Sequence, residues 1–209
     1  MSNFHYYAIQ YVDDWFRYDR LMVAGINSKV KDKQVEALQA ASSYYGVGRT
    51  LHKTDAEKAA ENSSDAEYRK IRLVAALELL RKATLEDGAI AAVDNLTGDL
   101  SKVYKQNALS AASKFLWLKF RSPIVIYDTL AHNALKQMNA SRRDYQTYAL
   151  YHDAWRSSFA RHREAIVSAC EALRSVKRFT CVSSAAELAS LTSDSSFTSA
   201  DVVLQSGYE

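Results

Sequence analysis

Only one proline interrupts these 209 residues, and it falls inside the most apolar stretch of the chain. Residues 108–135 read ALSAASKFLWLKFRSPIVIYDTLAHNAL. From Ser110 to Phe120 the alanines, leucines and aromatics are too dense for a solvated helix, so this segment is expected to be a core helix. Pro123 cannot continue that helix and biases the residue before it toward extended backbone. The short apolar run 124–127 then delivers the chain to Asp128. With Thr129 behind it and Leu130, Ala131, Ala134, Leu135 and Met138 at helical spacing, Asp128 takes the N-cap place of a new helix. Glycine is sparse too, with six in all, while Ala, Leu, Lys and Glu are plentiful, so few turn signals exist for a β-rich chain. The expected fold class is all-α.

The remaining elements follow from the helical period. Residues 4–22 place Phe4, Tyr7, Ala8, Tyr11, Trp15, Tyr18 and Met22 on one face, a core stripe that would otherwise serve as a stacking wall. A second helix is expected over 31–45 with Val35, Leu38, Ala41 and Tyr45 inward and Gly46 closing it. Residues 49–66 lack an apolar face and read as an exposed loop or loosely attached turn, the place of highest expected mobility. A third helix over 66–85 turns Ile71, Val74, Leu77, Leu80 and Thr84 inward and ends at Asp87-Gly88. A short helix over 90–96 precedes a Thr97-Gly98-Asp99 turn into 100–105. After the 129–139 helix, Ser141 to Asp144 has the form of an N-cap and first turn. Tyr148, Tyr151, Trp155, Phe159, Ile166, Cys170 and Leu173 then keep the period to about Val176, a length that calls for a break near 157–163. Residues 1–179 are expected to form one domain of two lobes sharing a cleft, and residues 180–209 an acidic, serine-rich tail with a short helix near 184–191.

The formal charge of +3 is unevenly spread. Residues 101–163 hold eleven Lys and Arg against three Asp, a local excess of +8 that leaves −5 for the rest. A basic segment around Asp128 suits a polyanion such as DNA, although a solvated basic face has the same composition.

Other chemistries find little footing. The five histidines (His5, His52, His132, His152, His162) include no HExxH pair and no companion cysteine motif, so no metal or other cofactor is expected. His132, four residues after Asp128, lies within side-chain reach of it, as either a partner or a surface histidine. Cys170 and Cys181 are too few for a disulfide framework and fit a reducing compartment. The GVG at 46–48 follows a helix rather than a strand, which disfavours a nucleotide loop. No GxSxG, P-loop or paired-carboxylate pattern supports a common hydrolase. No signal-peptide pattern and no 18-residue apolar span are present, so a cytoplasmic protein without membrane association is expected.

The run SAASKFLWLKF, RSP, IVIYDTLAHNAL resembles the catalytic segment of helix-hairpin-helix DNA glycosylases, above all the 8-oxoguanine glycosylases of bacteria and archaea. In that family a core helix carrying an AS-(K/H)-FL signature leads through a short loop to an aspartate that is catalytic and begins the next helix. The likeness covers about 30 of the 209 residues. It implies a two-lobed helical fold with a central cleft, Asp128 as the catalytic carboxylate and double-stranded DNA bearing a modified base as substrate. Two departures modify the implication. The family's bifunctional members form a Schiff base from a lysine three residues before the AS serine, and counting back from Ser113 that place holds Ser110, which cannot make an imine. Lys114 lies one turn further on and about 40° round the axis. The hairpin's Gly-x-Gly falls near Gln106 to Ala108, where the chain has QNA, so the hairpin is degenerate or rebuilt.

On this resemblance the expected activity is that of a monofunctional DNA glycosylase, active as a monomer, that leaves an abasic site. Ser110, Lys114 and Asp128 mark its catalytic region. Trp117, Tyr127, His132, Tyr151 and Trp155, with Tyr148 nearby, are the pocket candidates for a flipped base. Lys102, Lys105, Arg121, Arg142 and Arg143, together with Lys114, are the phosphate candidates. The substrate is either an oxidised guanine, the family default, or a modified base of phage DNA such as glucosylated hydroxymethylcytosine, removed in antiphage defence. A helical DNA- or protein-binding module that has lost catalysis is the competing class.

Overall fold

The computed structural model describes residues 3–49, 51, 65–138, 145 and 147–173, which are helical with no strand among them. The helices are α1 (Asn3–Asp14), α2 (Arg20–Ile26), α3 (Lys31–Tyr44), α4 (Asp65–Lys82), α5 (Gly88–Tyr104), α6 (Leu109–Phe120), α7 (Thr129–Met138) and α8 (Tyr148–Ala172). A π-helical turn, Trp15–Asp19, joins α1 to α2. The chain divides into two compact units, one of residues 21–126 and one that combines residues up to Arg20 with those from Tyr127 onward. No helix among the described residues is long and apolar enough to cross a membrane.

In the 21–126 unit, α6 is the core helix that its composition predicts, with every residue from Ala111 to Leu118 buried. It packs against α5, to which it is joined by residues 105–108. The expected break at Thr97-Gly98-Asp99 is absent, because α5 runs unbroken through it. Ala89, Ala92, Val93, Leu96, Leu100 and Tyr104 keep one buried stripe across that sequence. A mid-helix glycine costs about 1 kcal/mol, less than the roughly 1.5–3 kcal/mol gained by burying a single large apolar side chain such as Leu100. Asp87-Gly88 also differs from expectation. Gly88, at φ +88°, starts α5 instead of ending α4, which already stops at Lys82 and leaves Thr84 exposed beyond it.

Side chains from neighbouring helices close several helix ends in this unit. The Gln34 amide donates to the Ile26 and Ser28 carbonyls at 3.1 and 2.7 Å, and Arg81 Nε donates to Gln34 Oε1 at 2.9 Å. Lys119 Nζ donates to the carbonyls of Leu80, Arg81 and Ala83 at 2.8, 3.0 and 2.8 Å, taking up acceptors that the end of α4 leaves without helical partners. Helix α3 ends as predicted, with Gly46 at φ +65° donating to the Ser43 carbonyl at 3.2 Å. Tyr45, expected inward, is only half-buried, while Gln34, Ala37 and Ser42 join the buried side.

In the other unit, α1 and α7 both pack on α8. Helix α8 spans 25 residues without the expected break, and its sequence contains neither proline nor glycine to cause one. Tyr148, Tyr151, Trp155, Ile166, Cys170 and Leu173 are buried as their period predicts, joined by His152 and Ser158. Phe159 is half-buried and stacks on Trp155, with ring centroids 5.5 Å apart. Thr147 caps the helix, its Oγ1 accepting from Leu150 N at 3.3 Å. The π turn alters the phase of the first aromatic stripe. There the Arg20 amide reaches back to the Trp15 carbonyl, which adds one residue to the turn. Tyr18, expected inward, is therefore 44% exposed, and Asp19 takes the inward place at 1%.

Of the loop expected over 49–66, residues 50 and 52–64 lie outside the described residues and residues 65 and 66 already belong to α4; the N-cap at 141–144 and the tail at 180–209 also lie outside them.

Candidate active site

Asp128 ends the connector between α6 and α7. Helix α6 ends at Phe120, and Arg121 takes φ 60°, ψ −117°, where its amide donates to the Trp117 carbonyl at 2.7 Å. The Ile124 amide donates back to the Arg121 carbonyl at 2.9 Å, closing a turn around Ser122 and Pro123. Ile124 and Val125 are buried, which anchors the connector, and Ile126, Tyr127 and Asp128 emerge half-buried. Asp128 then caps α7 as its sequence position predicts. Its Oδ1 accepts from the Leu130 amide at 2.9 Å and its carbonyl accepts from the His132 amide at 2.8 Å. One carboxylate oxygen is thereby fixed relative to the helix axis.

Beside this cap, within the same unit, lies an aromatic group. The Tyr127 ring meets Tyr151 edge-on at 4.9 Å and His132 at 5.9 Å. His132 meets Tyr145 edge-on at 5.8 Å, and Tyr148 lies 6.4 Å from Tyr151 and 5.8 Å from His152. His132 is buried rather than solvated. It is 9% exposed, with Nδ1 3.4 Å from Asn133 Oδ1. Tyr151 and Trp155 are buried on α8, and Tyr127 is the pocket candidate of this unit whose side chain remains partly open. Tyr145 and His152 belong to the group without having been predicted. Tyr145 lies outside any helical period, and His152 is next to an inward tyrosine, which its spacing alone does not reveal.

Apart from Arg142 and Arg143, the other predicted site residues belong to the 21–126 unit. Ser110 is half-buried, and its carbonyl accepts from Ser113 Oγ at 3.2 Å. Lys114 is 5% exposed, with Nζ 3.4 Å from the Tyr45 carbonyl and 5.7 Å from the centre of the Tyr45 ring. It points toward the end of α3. Trp117 is 1% exposed, and the Arg121 guanidinium lies 4.3 Å above its ring. Lys102 is exposed and pairs with Asp99 at 3.2 Å; Lys105 is exposed and takes a left-handed conformation at φ 55°. Arg142 and Arg143 lie outside the described residues.

Residues 105–108 form the turn between α5 and α6, where the resemblance places a hairpin. Lys105 supplies the positive φ that a glycine would give, Ser101 Oγ accepts from the Ala108 amide at 3.3 Å, and Asn107 Oδ1 accepts from the Leu109 amide at 3.1 Å. Two amides of this turn are thus satisfied by the chain's own side chains. Among the described residues no group of three or more His, Cys, Asp or Glu side chains could hold a metal ion. No protein-family model, curated protein or solved structure matches the chain.

Proposed function

We propose that this protein is a DNA glycosylase that hydrolyses the N-glycosidic bond of a modified base in double-stranded DNA and leaves an abasic site. The observation that carries the proposal is the seating of Asp128, whose carboxylate is pinned by the Leu130 amide at a helix start and flanked by Tyr127. Base excision develops oxocarbenium character at the sugar. A carboxylate held by backbone geometry stabilises that charge and orients or deprotonates the attacking water without reorganising.

Two features support a hydrolytic over an imine mechanism. Ser110 occupies the position of the Schiff-base lysine, and the Lys114 amine lies beside the Tyr45 carbonyl. Lys102, Lys105 and Arg121, with Arg142 and Arg143, are the cations assigned to phosphates, and the enzyme is taken to act as a cytoplasmic monomer. Its target is a modified phage base such as glucosylated hydroxymethylcytosine, or oxidised guanine.

The second reading, a binding module without catalysis, is favoured by the hairpin turn, where Ser101 and Asn107 occupy two amides that a phosphate would use. The test is an alkali-cleavage assay on duplexes carrying oxidised, alkylated and glucosylated bases. Breaks that appear only after alkali, and vanish in Asp128→Asn, support the glycosylase. DNA retention without any alkali-labile product supports the binder.

A further inference from the structure

Arg121 occupies a conformation that its residue type disfavours. Arg121 opens the 121–124 turn at φ 60° and ψ −117°, a conformation that glycine adopts readily and in which a side chain is strained. What an arginine adds at this corner is its side chain. The central carbon of its guanidinium lies 4.3 Å from the centre of the Trp117 ring, over its face. Arg121 itself is half-buried, whereas the indole beneath is 1% exposed. A planar, delocalised cation is therefore part of what separates a large aromatic face from water.

We propose that the Trp117 face beneath Arg121 is a stacking site for a planar heterocycle of nucleobase size, with the guanidinium as a removable placeholder. A guanidinium plane and a nucleobase offer an indole the same kind of contact, so exchanging one for the other keeps the ring covered. The displaced arginine stays charged and becomes available to a phosphate of the same ligand. The choice of a nucleobase as the ring rests on the glycosylase reading, but the placeholder does not require catalysis.

The experiment uses the full chain with Trp15→Phe and Trp155→Phe, leaving Trp117 as the lone tryptophan, and compares Arg121 with Arg121→Gly. Glycine relieves the strain and removes the lid. The expected results are an unchanged or raised Tm, acrylamide quenching of Trp117 that increases several-fold, and binding of free 2-aminopurine that tightens by about tenfold, the scale of one stacked base. In the Arg121→Gly protein, saturating 2-aminopurine should return the quenching of Trp117 to the low level of the parent. If Arg121→Gly lowers Tm while Trp117 stays unquenched, Arg121 is a structural strut and the proposal is overturned. An indole that opens without any change in 2-aminopurine affinity overturns it equally. Should Arg121→Gly fail to fold, Arg121→Ala is read by the same quenching and binding criteria. Tight 2-aminopurine binding by a protein with no excision activity would sink the glycosylase and leave the stacking site intact.

Discussion

Lys119 Nζ lies 2.8 Å from the Ala83 carbonyl, and the same ammonium reaches the carbonyls of Leu80 and Arg81, so one side chain of α6 closes the end of α4. Helix ends leave carbonyl acceptors without partners, and hydrogen bonds to a charged donor are worth about 1.5–3 kcal/mol each against leaving the acceptor unpaired. Lys119→Met keeps the aliphatic stem and removes the donor. It should destabilise the protein by roughly 2 kcal/mol in urea unfolding, after allowance for water reaching the half-exposed carbonyls. A loss below about 0.5 kcal/mol would mean that water caps α4 as well as the lysine does.

Gly25 lies where α2 and α3 approach closely. A Cβ built there would stand 2.5 Å from Ala37 Cβ and 3.3 Å from the Lys33 carbonyl oxygen. Gly25→Ala gains about 1 kcal/mol of helix propensity but forces the two helices apart, with an overpacking cost of about 1–3 kcal/mol. The net change should be destabilising, and Ala37→Gly should rescue it by vacating the opposing methyl. Thermal melts of the two single variants and the pair check this.

Cys170 gives a pH signature. Burial is the main cause, and Glu171 a lesser one, that pushes its thiol from an ordinary 9.0 up to about 11. In the unfolded chain the thiol ionises first. Stability should therefore be unaffected by this group below about pH 9 and should fall as pH rises from 9 through 11, by at most about 1.4 kcal/mol per unit. Cys170→Ala should flatten that part of the stability profile relative to the parent. In the folded protein Cys170 should resist iodoacetamide at pH 8 and react once urea is added; rapid native labelling of the peptide containing it would contradict the burial.

The parts of the fold legible in the sequence are those decided locally. The α6 core and the Asp128 cap were readable because dense apolar composition, a single proline and an Asp before a new helical period all act over a few residues. Gly88 and Gly98 misled because turn preference at one glycine amounts to about 1 kcal/mol, while the buried stripe from Ala89 to Tyr104 extends over the whole of α5. The π turn left no sequence mark, and one added residue exchanged Tyr18 for Asp19 on the inner face. In the sequence Lys114 reads as a catalytic or phosphate candidate and Lys119 only as part of the basic segment. Their carbonyl partners lie 69 and 36–39 residues away in sequence, beyond the reach of any local pattern.

The division of labour between Asp128 and the lysines carries the decisive prediction for the proposed chemistry. Asparagine caps helices about as well as aspartate, so Asp128→Asn should preserve the Leu130 contact and the fold, with Tm within about 1 °C of the parent, and DNA affinity should be largely retained. Excision should nevertheless fall by 100-fold or more, the scale for removing a preorganised charge or a general base, roughly 3 kcal/mol in the barrier. Asp128→Ala should lose both cap and activity, costing about 1 kcal/mol of stability in addition. Borohydride should trap no covalent enzyme–DNA adduct in the parent, because Ser110 cannot form an imine and the Lys114 amine lies beside the Tyr45 carbonyl. An adduct that forms efficiently and disappears in Lys114→Ala would place imine chemistry on the neighbouring turn of α6 and would refute the hydrolytic mechanism while leaving the role of Asp128 standing.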